Sequence, residues 1–358
     1  MQEEFSEKAG SDLLARKLAR TRHLFSNLQD EDAGFHGAHV LTRLEKNGLT
    51  FSGTGENQKG FASYRPFDPT ERQSYINLIT CPVLDTNGEE RADADFYGSA
   101  FHELIHADSW DRVPELHASP FNANAPVILC PEDFALMTVI TERVAYANMG
   151  WLLSLAHKDA AEIGHVVTPV NAMMFEFLRA REGDLGRALS LAADVSMRET
   201  LGSRCGGAKI TMEEYYYDCA LNDYKKQVEV LAKKNVMPLV VRLEAHNFLS
   251  IAESFGPNIM THGQSLTPIP AVGQAHIRDI HDMLDRRHSV PSYQYLPTFD
   301  EGLARRGYTP AGFLEMSKTA GTTVMAEESV PTSARKQTVG GFFTHLVPSA
   351  GPGALVHA

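Results

Sequence analysis

"FYGSAFHELIHADSW", residues 96–110, is the stretch that decides how this chain is read. It contains His102-Glu103-Leu104-Ile105-His106, an H-E-x-x-H. On a helix, positions i and i+4 stack on one face. His102 and His106 can therefore offer two imidazoles to one ion at the zinc–nitrogen distance of about 2.0–2.1 Å. Glu103 projects to the side of that stripe, near the ion without binding it, where a carboxylate can take a proton from water. Phe101, Leu104 and Ile105 give the helix an apolar face, which predicts burial. The expected roles are zinc ligands for His102 and His106, and general base for Glu103.

A third ligand is sought in the later helical stretch "EDFALMTVITERVAYANMGWLL", residues 132–153. Glu142 is the one acidic residue deep within it, among Val139, Ile140, Val144, Ala145 and Met149. A buried carboxylate is costly unless it is paired or bound to a metal. Glu142 therefore either ligates zinc or meets a cation such as Arg143 or Arg112, and beside an H-E-x-x-H the ligand role is preferred. Tyr146, one turn further on, shares its face. It either supports a ligand and the oxyanion or fills the core, and Arg143 is a second candidate for the oxyanion. Asp108 or Asp111 can orient a ligand imidazole through its other nitrogen. His117, the rival third ligand, stands in a Pro-rich loop and reads as a surface residue. A metzincin pattern fails because Ser109 and Arg112 stand where it needs Gly and His.

The surrounding pattern supplies a context. Helical periodicity covers Ser11–Asn27 and His39–Lys46, and the latter stops at Asn47-Gly48. Leu49–Ser52 and Phe61–Tyr64 are short strand candidates separated by the turn-rich residues 53–60. "SYINLITCP", residues 74–82, reads as a strand closed by Pro82, and is the expected edge on which an extended substrate could align. Asp93 or Asp95 is expected to cap the histidine helix, and Pro131 to open the Glu142 helix. Later helices are expected at Val170–Arg181, Leu185–Met197, from the capping box Thr211-x-x-Glu214 to about Lys233, at Pro238–Phe255 and at Ala271–Arg287. Two short helices flank "GYTP", residues 307–310, and an unpacked tail is expected from about Lys318.

"FYGSAFHELIHA" followed by "TERVAYANMG" resembles the zincin-like metallopeptidases of the gluzincin type, in which a Glu from a downstream helix joins H-E-x-x-H. Residues 75–110 are most similar to the zincin domain of ArdC-type antirestriction and polyvalent plasmid or phage proteins. They are also similar to bacterial metallopeptidase domains of unknown function. The resemblance covers roughly residues 49–157. It implies zinc held by His102, His106 and Glu142, with Glu103 as the base.

Bulk properties exclude other classes. A formal net charge of −12 without any long Lys/Arg cluster argues against nucleic-acid partners. Cys81, Cys130, Cys205 and Cys219 form no C-x-x-C, which argues against a zinc ribbon and against a disulfide framework. The polar N-terminus does not read as a secretory signal, and no apolar run is long enough to span a bilayer. The expectation is a cytoplasmic protein, with export by a leaderless route left open.

These readings combine into an α+β chain. A helical leader (1–48) precedes a zincin-like core of small sheet, active-site helix and Glu-bearing helix (49–165). A helical C-terminal region (166–317) and a disordered tail (318–358) follow. The expected activity is zinc-dependent hydrolysis of peptide or protein substrates. The alternative is a non-catalytic helical interaction or effector module whose zinc is structural or absent.

Overall fold

The computed structural model describes residues 2–52, 62–66, 77–84, 89–122, 125–163, 170–205, 208–236, 238–257, 259, 271–288 and 290–327. The expected turns at 53–60, the start of the 74–80 strand and the tail beyond Glu327 lie outside the described residues. Helices α1 (Gln2–Asn27) and α2 (Gly37–Lys46) are separated by the antiparallel pair β1 (Gln29–Asp30) and β2 (Phe35–His36). Strands β3 (Thr50–Ser52), β4 (Ser63–Arg65) and β5 (Leu78–Thr80) lead to α3 (Asp93–Arg112). A 3-10 turn at Pro114–His117, β6 (Val127–Leu129) and α4 (Pro131–Ile163) follow. Next come α5 (Val170–Glu182), α6 (Leu185–Met197), the antiparallel strands β7 (Thr200–Cys205) and β8 (Ala208–Thr211), and α7 (Met212–Lys233). Beyond them lie β9 (Leu239–Val241), α8 (Ala245–Ala252), α9 (Ala271–His288), α10 (Phe299–Arg305) and α11 (Pro310–Glu327). The fold is α+β, dominated by helices with small sheets. No described helix is long and apolar enough to cross a membrane.

Helix α4 is the axis of the molecule. It is apolar on all sides, from Phe134 through Val139, Val144 and Trp151 to Ala156, all buried, as befits a helix enclosed by others. It packs against α3, α5, α6, α7 and α8. Three of the polar residues in its buried stretch mark its contacts with neighbouring elements. Glu142 faces two histidines. Arg143 pairs with Asp194 on α6 and Glu213 on α7. The Asn148 amide donates to Phe255 O at 3.1 Å.

The sheet beside α3 corrects one expectation. Strand β5 is its centre, not its edge: β3 pairs with it in parallel and β4 antiparallel, in the order β3-β5-β4. Both sets of ladder groups are occupied, so β5 cannot take an added strand. Elsewhere, Pro238–Phe255 is not one helix. The run Leu239–Val241 forms a strand that pairs in parallel with β6, and only Ala245–Ala252 is helical. The helix expected to end near Lys318 continues to Glu327, and Lys318 Nζ lies 3.0 Å from Asp111. Ala92, not an aspartate, stands at the N-cap of α3. Asp93 and Asp95 occupy the first turn, where their charge favours the helix dipole, and Asp93 accepts from Lys17 at 2.8 Å.

Candidate metal centre

Helices α3 and α4 are in close contact, and their facing surfaces carry the expected residues. His102, His106 and Glu142 form the one group of described residues able to hold a metal ion, and all three are buried. The two imidazole Nε2 atoms are 3.1 Å apart. Glu142 turns one carboxylate oxygen to each ring, at 3.4 Å from His102 and 3.3 Å from His106. Donors held tetrahedrally about 2.0–2.1 Å from an ion lie about 3.3–3.4 Å from one another. The observed separations fit that requirement before any ion is considered.

Glu103 is fully buried, and neither carboxylate oxygen has a hydrogen-bond partner among the described residues. An unpartnered carboxylate in an apolar interior is expensive. Glu103 follows His102 directly on the helix that carries both imidazoles. Cys81, at the end of β5, is buried nearby. Burial and the charge of Glu103 push its thiol up, so it is not a reactive thiolate.

A narrow cleft reaches the group on the His106 and Glu142 side, walled by Tyr64, Trp110, Leu116, Phe134 and Met137. It leaves about 20 Å³ for the centre of a water molecule, roughly the room one water needs. Tyr64 comes from β4, the strand on the α3 side of the sheet, and its hydroxyl is held by Asn77 at 3.0 Å.

The remaining expected residues divide cleanly. Tyr146 joins the centre: its ring meets the His102 ring edge-on at 4.7 Å between centroids. Arg143 does not join it, because its guanidinium is bound by Asp194 and Glu213. Asp108 and Asp111 are likewise engaged away from the imidazoles. Asp108 pairs with Arg43 and Arg112, while Asp111 pairs with Arg43, Asn47 and Lys318. Arg112 also donates to Ser254 O. Arg143 and Arg112, the two cations considered for Glu142, are thus engaged elsewhere.

His117 is a correction. It is 2% exposed rather than at the surface, with its ring 5.1 Å from that of Trp110 and its Nε2–H donating to Trp110 O at 2.8 Å. Burial holds it neutral by lowering its pKa to about 4. Buried and bonded in this way, it stands outside the metal group.

One residue at the centre was absent from the sequence reading. Tyr216, on α7, brings its hydroxyl to 3.2 Å from that of Tyr146. It sits within the run Tyr215-Tyr216-Tyr217, and on a helix these three point in different directions. Only the docking of α7 on α4 selects the middle one. No family model matches this chain, nor does any curated protein or any solved structure.

Proposed function

We propose that this protein is a zinc-dependent hydrolase of peptide bonds, built on a zincin-like arrangement of α3, α4 and the β3-β5-β4 sheet. The observation that carries the reading is the convergence of His102, His106 and Glu142 beside a buried Glu103 with no partner for either oxygen among the described residues. Two His, one Glu and an open position are the donor set of catalytic zinc, whereas structural zinc usually has four protein ligands. Three ligands among the described residues therefore favour catalysis over a structural role.

When bound, zinc would polarise the scissile carbonyl and make water a stronger acid. His102, His106 and Glu142 would hold the ion. Glu103 accepts the proton of the attacking water and later delivers it to the leaving amine. Tyr146, whose ring packs edge-on against His102, would donate its hydroxyl proton to the oxygen that gains charge. The cleft at Tyr64 and Trp110 leads to the group and has room for a water.

The test is zinc-loaded protein incubated with a peptide mixture and read by mass spectrometry. New termini that appear with wild type, and vanish with both Glu103→Gln and chelator, support the reading. A zinc-loaded protein that cuts nothing, or that keeps its cutting in Glu103→Gln, overturns it.

A further inference from the structure

Tyr216 lies 70 positions after Tyr146 and outside residues 49–157, which carry the family resemblance. Their hydroxyls are 3.2 Å apart, with ring centroids at 6.5 Å. The side chains are 6% and 3% exposed, so water does not compete for the pair. The Tyr146 ring also meets the His102 ring at 4.7 Å between centroids, so the pair stands against a residue of the metal group.

The position of Tyr216 is held from several sides. The reciprocal Thr211–Glu214 capping box fixes the start of α7. Arg143, next to Glu142 in sequence, reaches Glu213 at 3.8 Å and bonds Asp194, so it ties α4 to α6 and α7. Tyr224, two turns on, donates to Leu129 O at 2.7 Å. Two hydroxyls in contact own two protons, and their bond uses one. In a dry site, the proton left over becomes a stronger donor because the shared bond polarises it.

We propose that Tyr216 is a positioning residue of the metal centre: its hydroxyl donates to the Tyr146 oxygen and leaves the Tyr146 proton for an anionic oxygen bound there. The helical C-terminal region then completes the site instead of merely enclosing it. The proposal rests on metal binding by His102, His106 and Glu142, and on the placement of Tyr146 in the proposed function. It does not require the substrate to be a peptide.

The experiment uses the full chain loaded with Co2+, whose visible absorption reports its ligands, titrated with acetohydroxamic acid as the oxyanion probe. Wild type, Tyr146→Phe, Tyr216→Phe and the double variant form a cycle. Loss of a hydrogen bond to a charged group predicts about tenfold or more weaker probe binding for Tyr146→Phe. Tyr216→Phe should weaken it by roughly threefold to tenfold, the range for a neutral hydrogen bond. The double variant should be no weaker than Tyr146→Phe alone, and Co2+ affinity should stay unchanged in all four proteins. Tyr217→Phe, on the same turn, should bind the probe as wild type does.

Tyr216→Phe with unchanged probe affinity overturns the proposal. So does an equal loss with and without Tyr146, or an equal loss in Tyr217→Phe, because either marks a packing effect. Failure to bind Co2+ or Zn2+ removes this proposal and the proposed function together. An intact cycle in a protein that cuts no peptide removes only the peptidase reading.

Discussion

Replacing Glu103 with Gln should stabilise the metal-free protein while abolishing hydrolysis. Glu103 is 0% exposed, and both of its oxygens lack partners among the described residues. A buried polar group left unsatisfied costs about 1–3 kcal/mol, and more when charged. Taking ~3 kcal/mol for the carboxylate and ~1.5 kcal/mol for the neutral amide of the same shape, the substitution gains about 1.5 kcal/mol. Unfolding entropy near 2.1 cal/mol/K per residue gives roughly 0.7 kcal/mol/K for a chain of this size, so Tm should rise by about 2 °C. Because Glu103 is not a ligand, added zinc should raise Tm in both proteins alike, by about 2.7 kcal/mol of stability at a hundredfold excess over Kd. Differential scanning calorimetry with and without chelator reads both effects. A metal-free Glu103→Gln that melts several degrees below wild type would show that the carboxylate has a protein partner. The base assignment would then lose its structural support.

Other expectations concern the framework. Buried His117 has a pKa of about 4, below its ordinary 6.5, so the unfolded chain binds its proton first as pH falls. Its contribution is whole above pH 6.5, is lost between 6.5 and 4, and amounts to about 3 kcal/mol. Urea unfolding at pH 7 and 4.5 should show that difference shrinking in His117→Gln, and an unchanged pH dependence would contradict it. Asp133 runs the other way: burial, offset by a bond from Leu243 N at 2.6 Å, raises it to about 6. The folded protein keeps that proton between pH 3.8 and 6 while the unfolded chain has released it, so stability falls as pH rises through this window. Asp133→Asn should therefore gain stability relative to wild type at pH 8 but not at pH 3.5, as read by urea midpoints. Arg143→Met leaves Asp194 and Glu213 without their shared cation and should cost about 3–5 kcal/mol in the same assay.

Local chemistry made much of this legible. The capping box Thr211–Glu214 opens α7 at the expected residue, and the bounds of α6 match the periodic run 185–197. Glu142 stood out because an acid among Val139, Ile140 and Val144 needs a partner, and the structure brings two histidines to it. What was not legible depends on distant pairing. Strands β6 and β9 are three residues each, and their register Val127↔Leu239 joins segments about 110 positions apart. The run "PLVV", residues 238–241, is too short for its period to separate strand from helix. His117 followed the same logic: prolines nearby suggested a surface loop, but the 3-10 turn tucks the ring beneath Trp110. Tyr216 required the docking of α7 on α4, which no local pattern encodes.

The central claim is that His102, His106 and Glu142 hold one zinc ion. Elemental analysis of protein purified without chelator tests it most directly, run beside Glu142→Ala and His106→Ala. The account predicts about one equivalent of zinc in wild type and its loss in both variants, since removal of any of the three donors leaves an incomplete set. The same two-His, one-carboxylate set can carry iron, so both metals must be counted. Wild-type protein without zinc, or Glu142→Ala that retains zinc as tightly as wild type, would contradict it.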